Sequence, residues 1–486
     1  MDGKKLKKLF LNYWLVFVLG ITFFLRLPSL FEPFTYGDEG IYLTLGQALR
    51  KGLVFYRDIH DNKPPFLYLL AALANSFSYY RLILFIWSFA TIFMFFKLAL
   101  LLFPKRKLAV IVPTIFFALL TSLHTFEGNI ANAENFMMLP TITGFYLFFK
   151  KNSQKVPWFL IGVLFSLATL FKVPAAFDFA ALLVLFILMS KTINRALITN
   201  CFLLVAGFLT PIMSTFVYYA TKGALSQYLT AAFFQNLPYL SSWGVDKPQT
   251  VGLPLPLICQ GVLLLAIVTF LFVRRDKIST KIKLIVLWFS FALFAALLSG
   301  RPYPHYLLQT IPALALSFGL FFYKDKQKII PLVLSIGLIA SFLFFKFWHY
   351  PNISYYQNFY QFLLGAKSKD EYFAQFGGHT QALYQTAEFL KIHTQPDEKI
   401  FIWGTQPSLY ALTKRLPVDR YTTSYHIIDF NGYQETITAL TQNQPRYIVV
   451  DQEEKRPFPA FKSFVQDNYL LKLQAGNFQI FHRILR

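Results

Sequence analysis

Two adjacent carboxylates, Asp38 and Glu39, follow the first long apolar stretch of the chain, in the segment TYGDEGIYLTLGQAL that begins at Thr35. Apolar residues recur at helical spacing behind them, so the segment predicts a short helix with both carboxylates in its first turn. The helix dipole favours their ionised form, and an ionised carboxylate can accept a proton or bind a cation. The alternative is that the pair only caps a helix on a solvated loop.

A second polar group is crowded into the segment YRDIHDNKPPFLYLLAAL, which contains Asp58, His60, Asp61, Asn62 and Lys63. Carboxylates and an imidazole suit a divalent cation, and a lysine suits a phosphate. The spacing matches no known metal signature, so a divalent cation (Mg, Mn, Ca or Zn) is a candidate cofactor whose ligands stay unassigned. The alternative interpretation is a solvated loop.

Other polar side chains stand at the ends of apolar stretches: Glu134 in NIANAENFMMLP, Lys172 in LFKVPAAF, and Arg301 and His305 in SGRPYPHYLLQTIP. A lone lysine at such a position is usually a snorkelling residue, whose stem lies in lipid while its charge reaches water. The predicted membrane topology assigns these groups to the same outer surface as Lys63. Several cations and carboxylates on one surface favour a site for a phosphate-bearing lipid.

The composition identifies the setting in which these residues act. The chain of 486 residues is 55% hydrophobic and 19% aromatic but only 14% charged, which is typical of a polytopic α-helical membrane protein. The net charge of +22 does not indicate a nucleic-acid partner, because the basic residues lie in short clusters between apolar stretches. Cys201 and Cys259 both fall in apolar segments and do not indicate a redox compartment.

Apolar stretches of about 20 residues predict the membrane spans. About eleven are predicted, at 9–27, 81–103, 108–124, 136–149, 156–171, 173–190, 196–220, 251–273, 284–299, 307–323 and 329–348. With the N-terminus in the cytoplasm, every strongly basic loop then lies inside, as the positive-inside rule requires. The long loops that carry the carboxylates, and everything after residue 348, then lie outside.

The long first outer loop is predicted to form two amphipathic juxtamembrane helices that lie on the membrane rather than cross it. In the first, Ile41, Leu45, Ala48 and Leu49 make an apolar stripe that we expect to face lipid, and Gly52 is the expected C-cap. The second, at 66–77, is apolar but too short to span. These helices would hold both polar groups of the loop at the membrane surface.

The chain after residue 348 changes composition, since Gln, Asn, Thr, Lys and Asp become common and no spanning stretch remains. The segment QALYQTAEFLKIH has helical spacing, and KIFIWG, PRYIVV and FQIFHRIL have the pattern of strands. We therefore predict a transmembrane domain at 1–348 and a small extracytoplasmic α/β domain at 349–486. The role of the second domain is left open between packing for the membrane domain and a direct part in catalysis.

Four features together resemble one family: the DE pair after the first span, the DNKPP before a juxtamembrane helix, an acidic residue in the second outer loop, and HYLLQTIPAL before a late span. The family is the family 39-like membrane glycosyltransferases of the GT-C fold, which include protein O-mannosyltransferases and lipid A aminoarabinose transferases. The stretch IFIWGTQPSLYAL is similar to the tail domain of bacterial members. The resemblance implies an inverting hexosyl or pentosyl transfer on the outer face, from a polyprenyl-phosphate sugar to a lipid, glycan or protein acceptor.

The resemblance also implies roles for individual residues. Asp38 would activate or orient the acceptor, with support from Glu39. The donor phosphate would be held by three cations, Lys63, Lys172 and Arg301. The remaining candidates for binding substrate or a metal are Asp58, His60, Asp61, Asn62, Glu134 and His305. Asn62 departs from the family pattern, since some relatives have a metal-binding carboxylate there, so metal dependence is left open.

The chemistry is coherent without the family. An inverting transfer needs one base on the acceptor, and the leaving lipid phosphate needs cations in a low-dielectric site. The alternative function is a polytopic transporter or flippase for a lipid-linked or anionic substrate, which should place ionisable residues near mid-membrane. A membrane scaffold is a third interpretation. The resemblance implies the bacterial inner membrane as the location.

Overall fold

The computed structural model describes residues 3–150, 156–190, 192–237, 240, 255–323 and 328–484. The described chain up to Phe344 is mostly helical. Its α-helices are α1 (Gly3–Arg26), α2 (Gly37–Arg50), α3 (Phe66–Ala74), α4 (Phe77–Leu102), α5 (Lys107–Leu120), α6 (Ala133–Phe149), α7 (Trp158–Phe171), α8 (Ala176–Met189), α9 (Arg195–Thr221), α10 (Leu225–Ala232), α11 (Leu255–Val273), α12 (Thr280–Leu297), α13 (Ile311–Phe318) and α14 (Ile329–Phe344). Short 3-10 turns lie at Leu27–Leu30, His124–Phe126, Val173–Ala175, Phe234–Asn236, Pro304–Thr310 and Gly319–Phe322.

The described chain after Phe344 mixes helices with short strands. The helices are α15 (Asn352–Leu363), α16 (Lys369–Ala374), α17 (Thr380–His393), α18 (Ser408–Thr413), α19 (Ser424–Asp429), α20 (Tyr433–Asn443) and α21 (Pro459–Asn468). The strands are β1 (Phe401–Trp403), β2 (Tyr447–Asp451), β3 (Tyr469–Ala475) and β4 (Phe478–Arg483). The α/β character predicted for the C-terminal part is confirmed.

The chain divides into two compact units. Unit 1 consists of Met1–Ser29, Leu84–Tyr218 and Gln235–Asn352. Unit 2 consists of Leu30–Ile83, Tyr219–Phe234 and Ile353–Arg486. The first predicted outer loop therefore belongs to the same compact unit as the C-terminal part. The predicted change from membrane to extracytoplasmic chain at residue 348 stays a prediction.

Apolar helices long enough to cross a membrane are present in the described residues. Six segments meet that length and composition: Tyr13–Leu30, Phe77–Leu102, Arg195–Thr221, Leu255–Val273, Thr280–Leu297 and Pro304–Phe322. Shorter apolar helices in the same described ranges are Lys107–Leu120, Trp158–Phe171, Val173–Met189 and Ile329–Phe344. The chain is an integral membrane protein. Each predicted span overlaps a described helix, but the count of about eleven crossings and their orientation stay predictions.

Close helix contacts in unit 1 depend on small residues, as is usual between membrane helices. Gly162 of α7 lies against the carbonyl of Leu204 on α9, and Gly207 of α9 lies against the carbonyl of Phe159 on α7. A side chain at either glycine would collide with the facing backbone, so these residues let the two helices approach. Buried aromatic and aliphatic side chains form a continuous core in the unit.

Helix α2 of unit 2 differs from its prediction in what covers it. It is followed by Gly52 at φ +87°, the left-handed conformation expected of a C-cap glycine. The prediction that its apolar stripe faces lipid is wrong. Ile41, Leu45 and Ala48 are buried inside unit 2, where α2 packs against α3 and α18. The stripe is covered by protein because a distant part of the chain supplies α18, which the local pattern does not reveal.

A mixed sheet forms the centre of the C-terminal part of unit 2, with the strand order β1-β2-β4-β3 in the described chain. Strands β1 and β2 are parallel, and β4 pairs antiparallel with both β2 and β3. The sequence patterns predict β1, β2, β4 and helix α17 correctly. They miss β3, whose residues between the two ends are all exposed, so it lacks the alternation of a half-buried strand.

Candidate functional site

Asp38 stands in the first turn of α2, and its carboxylate contacts Tyr42 and Lys63. The Tyr42 hydroxyl, one helical turn further along, donates to Asp38 Oδ2 at 2.9 Å, and Lys63 Nζ lies 3.4 Å from the same oxygen. Burial, followed by the charges of Asp38 and Asp61, raises the pKa of Tyr42, so its hydroxyl keeps its proton. The side chains of Lys63 and Asp38 are 22% and 32% exposed, so the pair is accessible to a ligand.

Lys63 is held in place through its main chain. Its backbone amide donates to the Tyr68 hydroxyl at 3.1 Å, and its carbonyl accepts from the Tyr56 hydroxyl at 2.8 Å. Its Nζ lies 5.0 Å from the centre of the Tyr42 ring. The ammonium is therefore presented from a constrained backbone with its charge partly exposed, which suits the binding of an anionic group.

Glu39, the neighbour of Asp38, has a different partner. Nη2 and Nε of Arg81 donate to Glu39 Oε2 at 2.7 and 3.0 Å, and Arg81 Nη1 donates to the carbonyl of Glu32 at 2.9 Å. The side chains of Arg81 and Glu39 are 3% and 0% exposed. Glu39 therefore holds α2 to the start of α4, and the support predicted for Asp38 would be indirect.

Asp61 is buried beside the main chain of Lys63. The Tyr68 hydroxyl donates to Asp61 Oδ2 at 2.8 Å, and His426 Nε2 lies 3.6 Å from Asp61 Oδ1. Burial, followed by the charge of Lys63, lowers the pKa of His426 to about 3, so its ring is neutral at neutral pH. The contact therefore joins a carboxylate to a neutral imidazole.

The other predicted residues of this loop have partners that shape the loop. The ring of His60 is buried, with its centroid 4.2 Å from that of Phe430. Asp58 accepts two hydrogen bonds from Arg57 at 2.7 and 2.9 Å, and this pairing lowers the pKa of Asp58. Asn62 is half-buried. The predicted roles of these residues in substrate or metal binding stay predictions.

Unit 1 gathers a second group of ionisable side chains around His305. Lys172 forms an ion pair with Glu134, and Lys172 Nζ lies 3.6 Å from the centre of the Tyr306 ring. His305 Nδ1 hydrogen-bonds the carboxylate of Glu127. His305 Nε2 lies 3.9 Å from Glu134 Oε1. A buried histidine thus lies between two buried carboxylates, one of which also holds a lysine.

Glu134 lies at the start of a helix, and Arg301 lies just before the 3-10 turn Pro304–Thr310, as the sequence predicts. Glu134 lies in the first turn of α6, and Asn132 caps that helix by accepting a hydrogen bond from the amide of Asn135 at 3.3 Å. Arg301 is half-buried, and its backbone amide donates to Ser299 Oγ at 3.3 Å. Its role in phosphate binding stays a prediction.

The predicted site residues therefore form two clusters, one in each unit. Unit 2 gathers Asp38, Asp61 and Lys63, and unit 1 gathers Glu134, Lys172 and His305. The side chains contact one another directly, except that Asp61 is joined through Tyr68 to the main chain of Lys63. Their chemical roles stay predictions.

The side chains that hold these clusters together were not predicted from the sequence; they are Tyr42, Tyr68, Arg81, Glu127 and His426. Tyr42 carries a local signal, because it lies four residues after Asp38 on a predicted helix. Arg81 carries another, as a single charge at the start of a long apolar stretch. His426 has no local signal, since its partner is hundreds of residues away.

The described ranges contain no set of side chains arranged to bind a divalent cation. There, no group of three or more His, Cys, Asp and Glu side chains is gathered closely enough to hold a metal ion. The Asp58, His60 and Asp61 side chains contact Arg57, Phe430 and Tyr68 instead. Within these described ranges the side chains form no ligand set for the candidate cation, and the cation stays a prediction.

Comparison with known proteins supports the fold. No family model matches the sequence. No curated protein matches it either. ArnT from Cupriavidus metallidurans bound to undecaprenyl phosphate is similar in structure, with a TM-score of 0.59 and 14% identity over 97% of this chain and 98% of that one. The apo state of the same protein gives a TM-score of 0.57 at 14% identity, with the same coverage.

The archaeal oligosaccharyltransferase AglB from Archaeoglobus fulgidus, in complex with an inhibitory peptide and a dolichol-phosphate, gives a TM-score of 0.47 and 11% identity over 97% of this chain and 74% of that one. The likeness to ArnT covers nearly the whole of both chains. The chain therefore has the GT-C fold of ArnT, which confirms the fold predicted from the sequence.

Proposed function

We propose that the chain is an inverting glycosyltransferase that moves a sugar from a polyprenyl-phosphate donor to an acceptor on the outer face of the membrane. The observation that carries the proposal is the accessible Asp38–Lys63 pair. A base and a cation side by side are the two groups that such a transfer needs. The ArnT fold supports the choice of donor, since the ArnT crystal structure contains undecaprenyl phosphate.

Asp38 is the proposed acceptor base. In an inverting transfer the acceptor hydroxyl attacks the sugar carbon as the bond from that carbon to the phosphate oxygen breaks. The hydroxyl must lose its proton during this step, and a partly exposed carboxylate can receive it. The hydrogen bond from Tyr42 at 2.9 Å would orient the Asp38 carboxylate.

Lys63 is the proposed partner of the donor phosphate. Negative charge grows on the phosphate as the sugar leaves, and a nearby ammonium stabilises that charge. In the free protein Lys63 Nζ lies 3.4 Å from Asp38 Oδ2. Donor binding would exchange this partner for phosphate, which would release the Asp38 carboxylate for the acceptor.

The basic residues of unit 1 are proposed to bind phosphate less strongly than Lys63. Lys172 already pairs with Glu134 and lies against the Tyr306 ring, so its charge is compensated within the unit. It would bind phosphate only by exchanging Glu134 for the ligand. Arg301 remains a proposed contact of the lipid headgroup.

The proposed setting is the bacterial inner membrane, with the N-terminus cytoplasmic and the C-terminal part extracytoplasmic. The basic loops of the sequence support that orientation through the positive-inside rule. No step of the proposed reaction uses a divalent cation.

The experiment that tests the function is transfer by the purified protein from defined polyprenyl-phosphate sugars. We expect release of polyprenyl phosphate together with a glycosylated acceptor of inverted anomeric configuration, observed by mass spectrometry and NMR. Movement of intact donor across proteoliposomes without release of polyprenyl phosphate would support the flippase alternative instead. Loss of transfer in EDTA, restored by one divalent metal, would establish a cation requirement.

A further inference from the structure

The segment Ser424–His426, at the start of α19, connects the C-terminal sheet to the cluster around Lys63. The Ser424 amide donates to the carbonyl of Gly404, directly after β1, at 3.0 Å. The Ser424 hydroxyl hydrogen-bonds the carboxylate of Glu454, shortly after β2. Because the segment is tied to the carboxyl ends of both parallel strands, the two residues that follow Ser424 are held by the sheet.

Tyr425 is the first of those two residues, and the charged groups of the site act on its hydroxyl. Burial, followed by the charges of Asp38 and Asp61, raises the pKa of Tyr425, whereas Lys63 opposes the rise. The Arg456 guanidinium lies 5.9 Å from the centre of its ring. Tyr425 therefore lies within electrostatic range of the proposed base and of the proposed phosphate partner.

His426 is the second residue, and it is 1% exposed. Its ring centroid lies 4.4 Å from that of Tyr425 and 5.2 Å from that of His60. Its Nδ1 is buried and makes no hydrogen bond in the described part of the chain. An unsatisfied buried nitrogen costs stability and needs an explanation. The carboxylate near its other nitrogen, that of Asp61, belongs to the loop that carries Lys63.

Asp61 transmits this contact to Lys63 through Tyr68. The Tyr68 hydroxyl donates to Asp61 Oδ2 at 2.8 Å and accepts from the Lys63 amide at 3.1 Å. A displacement of Asp61 would therefore shift the main chain of Lys63. The same loop is bound directly as well, since the His60 amide donates to the carbonyl of Arg420 at 2.8 Å.

We infer that His426 is a positioning residue of the transfer site, which acts through Asp61 and Tyr68 to place Lys63 for the donor phosphate. The inference rests on the proposed function. It gives the C-terminal part of the chain a role in the reaction beyond packing.

The test compares the kinetics of His426→Ala and His426→Gln with those of the wild type. In His426→Ala we expect KM for the polyprenyl-phosphate sugar to rise about tenfold, with kcat per folded molecule changed less than about twofold. The glutamine amide reaches about as far as Nε2 of the ring, so His426→Gln should restore most of the donor affinity. His393→Ala is the matched control, because His393 is an exposed histidine of the same part of the chain.

The outcomes separate this inference from the proposed function. A wild-type protein that transfers sugar and a His426→Ala variant with unchanged KM would overturn the inference alone. A lower melting temperature and lower kcat with unchanged KM would assign His426 a purely structural role and would also overturn it. A wild type that releases no polyprenyl phosphate would overturn the proposed function. If His426→Ala does not fold, Tyr68→Phe carries the same test, since it removes the hydroxyl that joins Asp61 to Lys63.

Discussion

Asp38 and Glu39 are neighbours in the first turn of α2, yet they belong to two different kinds of ion pair. The Asp38–Lys63 pair is separated by 3.4 Å and partly exposed, whereas the Glu39–Arg81 pair closes to 2.7 Å and is buried. Consecutive residues of a helix point about 100° apart, so one turn can present one carboxylate to the interior and the other to a ligand.

Exposure determines which of the two carboxylates is available for chemistry. An exposed ion pair contributes about 0–1 kcal/mol, so exchanging one of its partners for a substrate costs little free energy. Removing one partner of a buried pair costs about 3–5 kcal/mol, because the other charge is left without compensation. We therefore expect the Asp38 pair to govern activity and the Glu39 pair to govern stability.

The largest expected effect is on activity in Asp38→Asn. Loss of the base should lower the rate of sugar transfer by about 10²- to 10⁴-fold, because the amide cannot accept the proton of the acceptor. The melting temperature should stay near that of the wild type, since the side chain is partly exposed. Asp370→Asn is the control, as Asp370 is an exposed acid in the first turn of another helix, α16. Wild-type transfer by Asp38→Asn would remove Asp38 as the base.

The next effect is on stability in Arg81→Met. We expect a loss of about 3–5 kcal/mol in the free energy of unfolding, because Glu39 is left as an unpaired buried charge. Thermal melting in detergent provides the measurement. The double variant Glu39→Gln with Arg81→Met should recover part of the loss, since it removes both charges. An Arg81→Met protein as stable as the wild type would contradict the structural role of this pair.

A smaller effect is expected in Lys63→Ala. The KM for the polyprenyl-phosphate sugar should rise about tenfold, because the phosphate loses one charged partner. The KM of Lys63→Arg should lie between those of the wild type and Lys63→Ala, since arginine keeps the charge and changes its geometry. Lys472→Ala, at an exposed position on β3, should keep the wild-type KM. A KM that does not change in Lys63→Ala would place the phosphate elsewhere.

The smallest effect concerns Asp419, a half-buried carboxylate that accepts hydrogen bonds from neutral groups rather than from an arginine. Burial raises the pKa of Asp419 to about 6, although the Thr436 hydroxyl donates to it at 2.6 Å and the Tyr421 amide at 3.1 Å. The folded protein then holds a proton that the unfolded chain releases between about pH 4 and pH 6. The stability from this group is therefore present below that window and lost as the pH rises through it.

Melting curves at pH 5 and pH 7.5 measure this contribution. The wild type should lose a few degrees more than Asp419→Asn does between the two values, because the amide has no proton to release. Equal pH dependence in the two proteins would show that Asp419 is ionised throughout. That result would remove the contrast between Glu39, whose carboxylate pairs with Arg81, and Asp419, whose carboxylate accepts from neutral groups.

The sequence predicts the helical framework well, because long apolar stretches leave few alternatives for a membrane chain. It also predicts the contact of Asp38 with the Lys63 loop, since both stand next to short helices in one outer loop. It does not predict the burial of α2, because α18 comes from a part of the chain more than 300 residues away.

Long-range pairings are the part of the site that local patterns cannot supply. The hydrogen bond of His305 with Glu127 and the approach of His426 to Asp61 both join distant segments. Neither partner has a spacing signature, since the contact arises from packing of elements rather than from helical or strand periodicity. A local pattern identifies the candidate groups, whereas the fold determines which of them meet.

The rate of sugar transfer per folded molecule, measured side by side for Asp38→Asn and Glu39→Gln, shows which of the two carboxylates serves the reaction. We predict that Asp38→Asn melts like the wild type and transfers sugar about 10²- to 10⁴-fold more slowly. We predict that Glu39→Gln melts at a lower temperature and keeps most of its transfer rate per folded molecule. An active Asp38→Asn protein beside an inactive, fully folded Glu39→Gln protein would contradict the account.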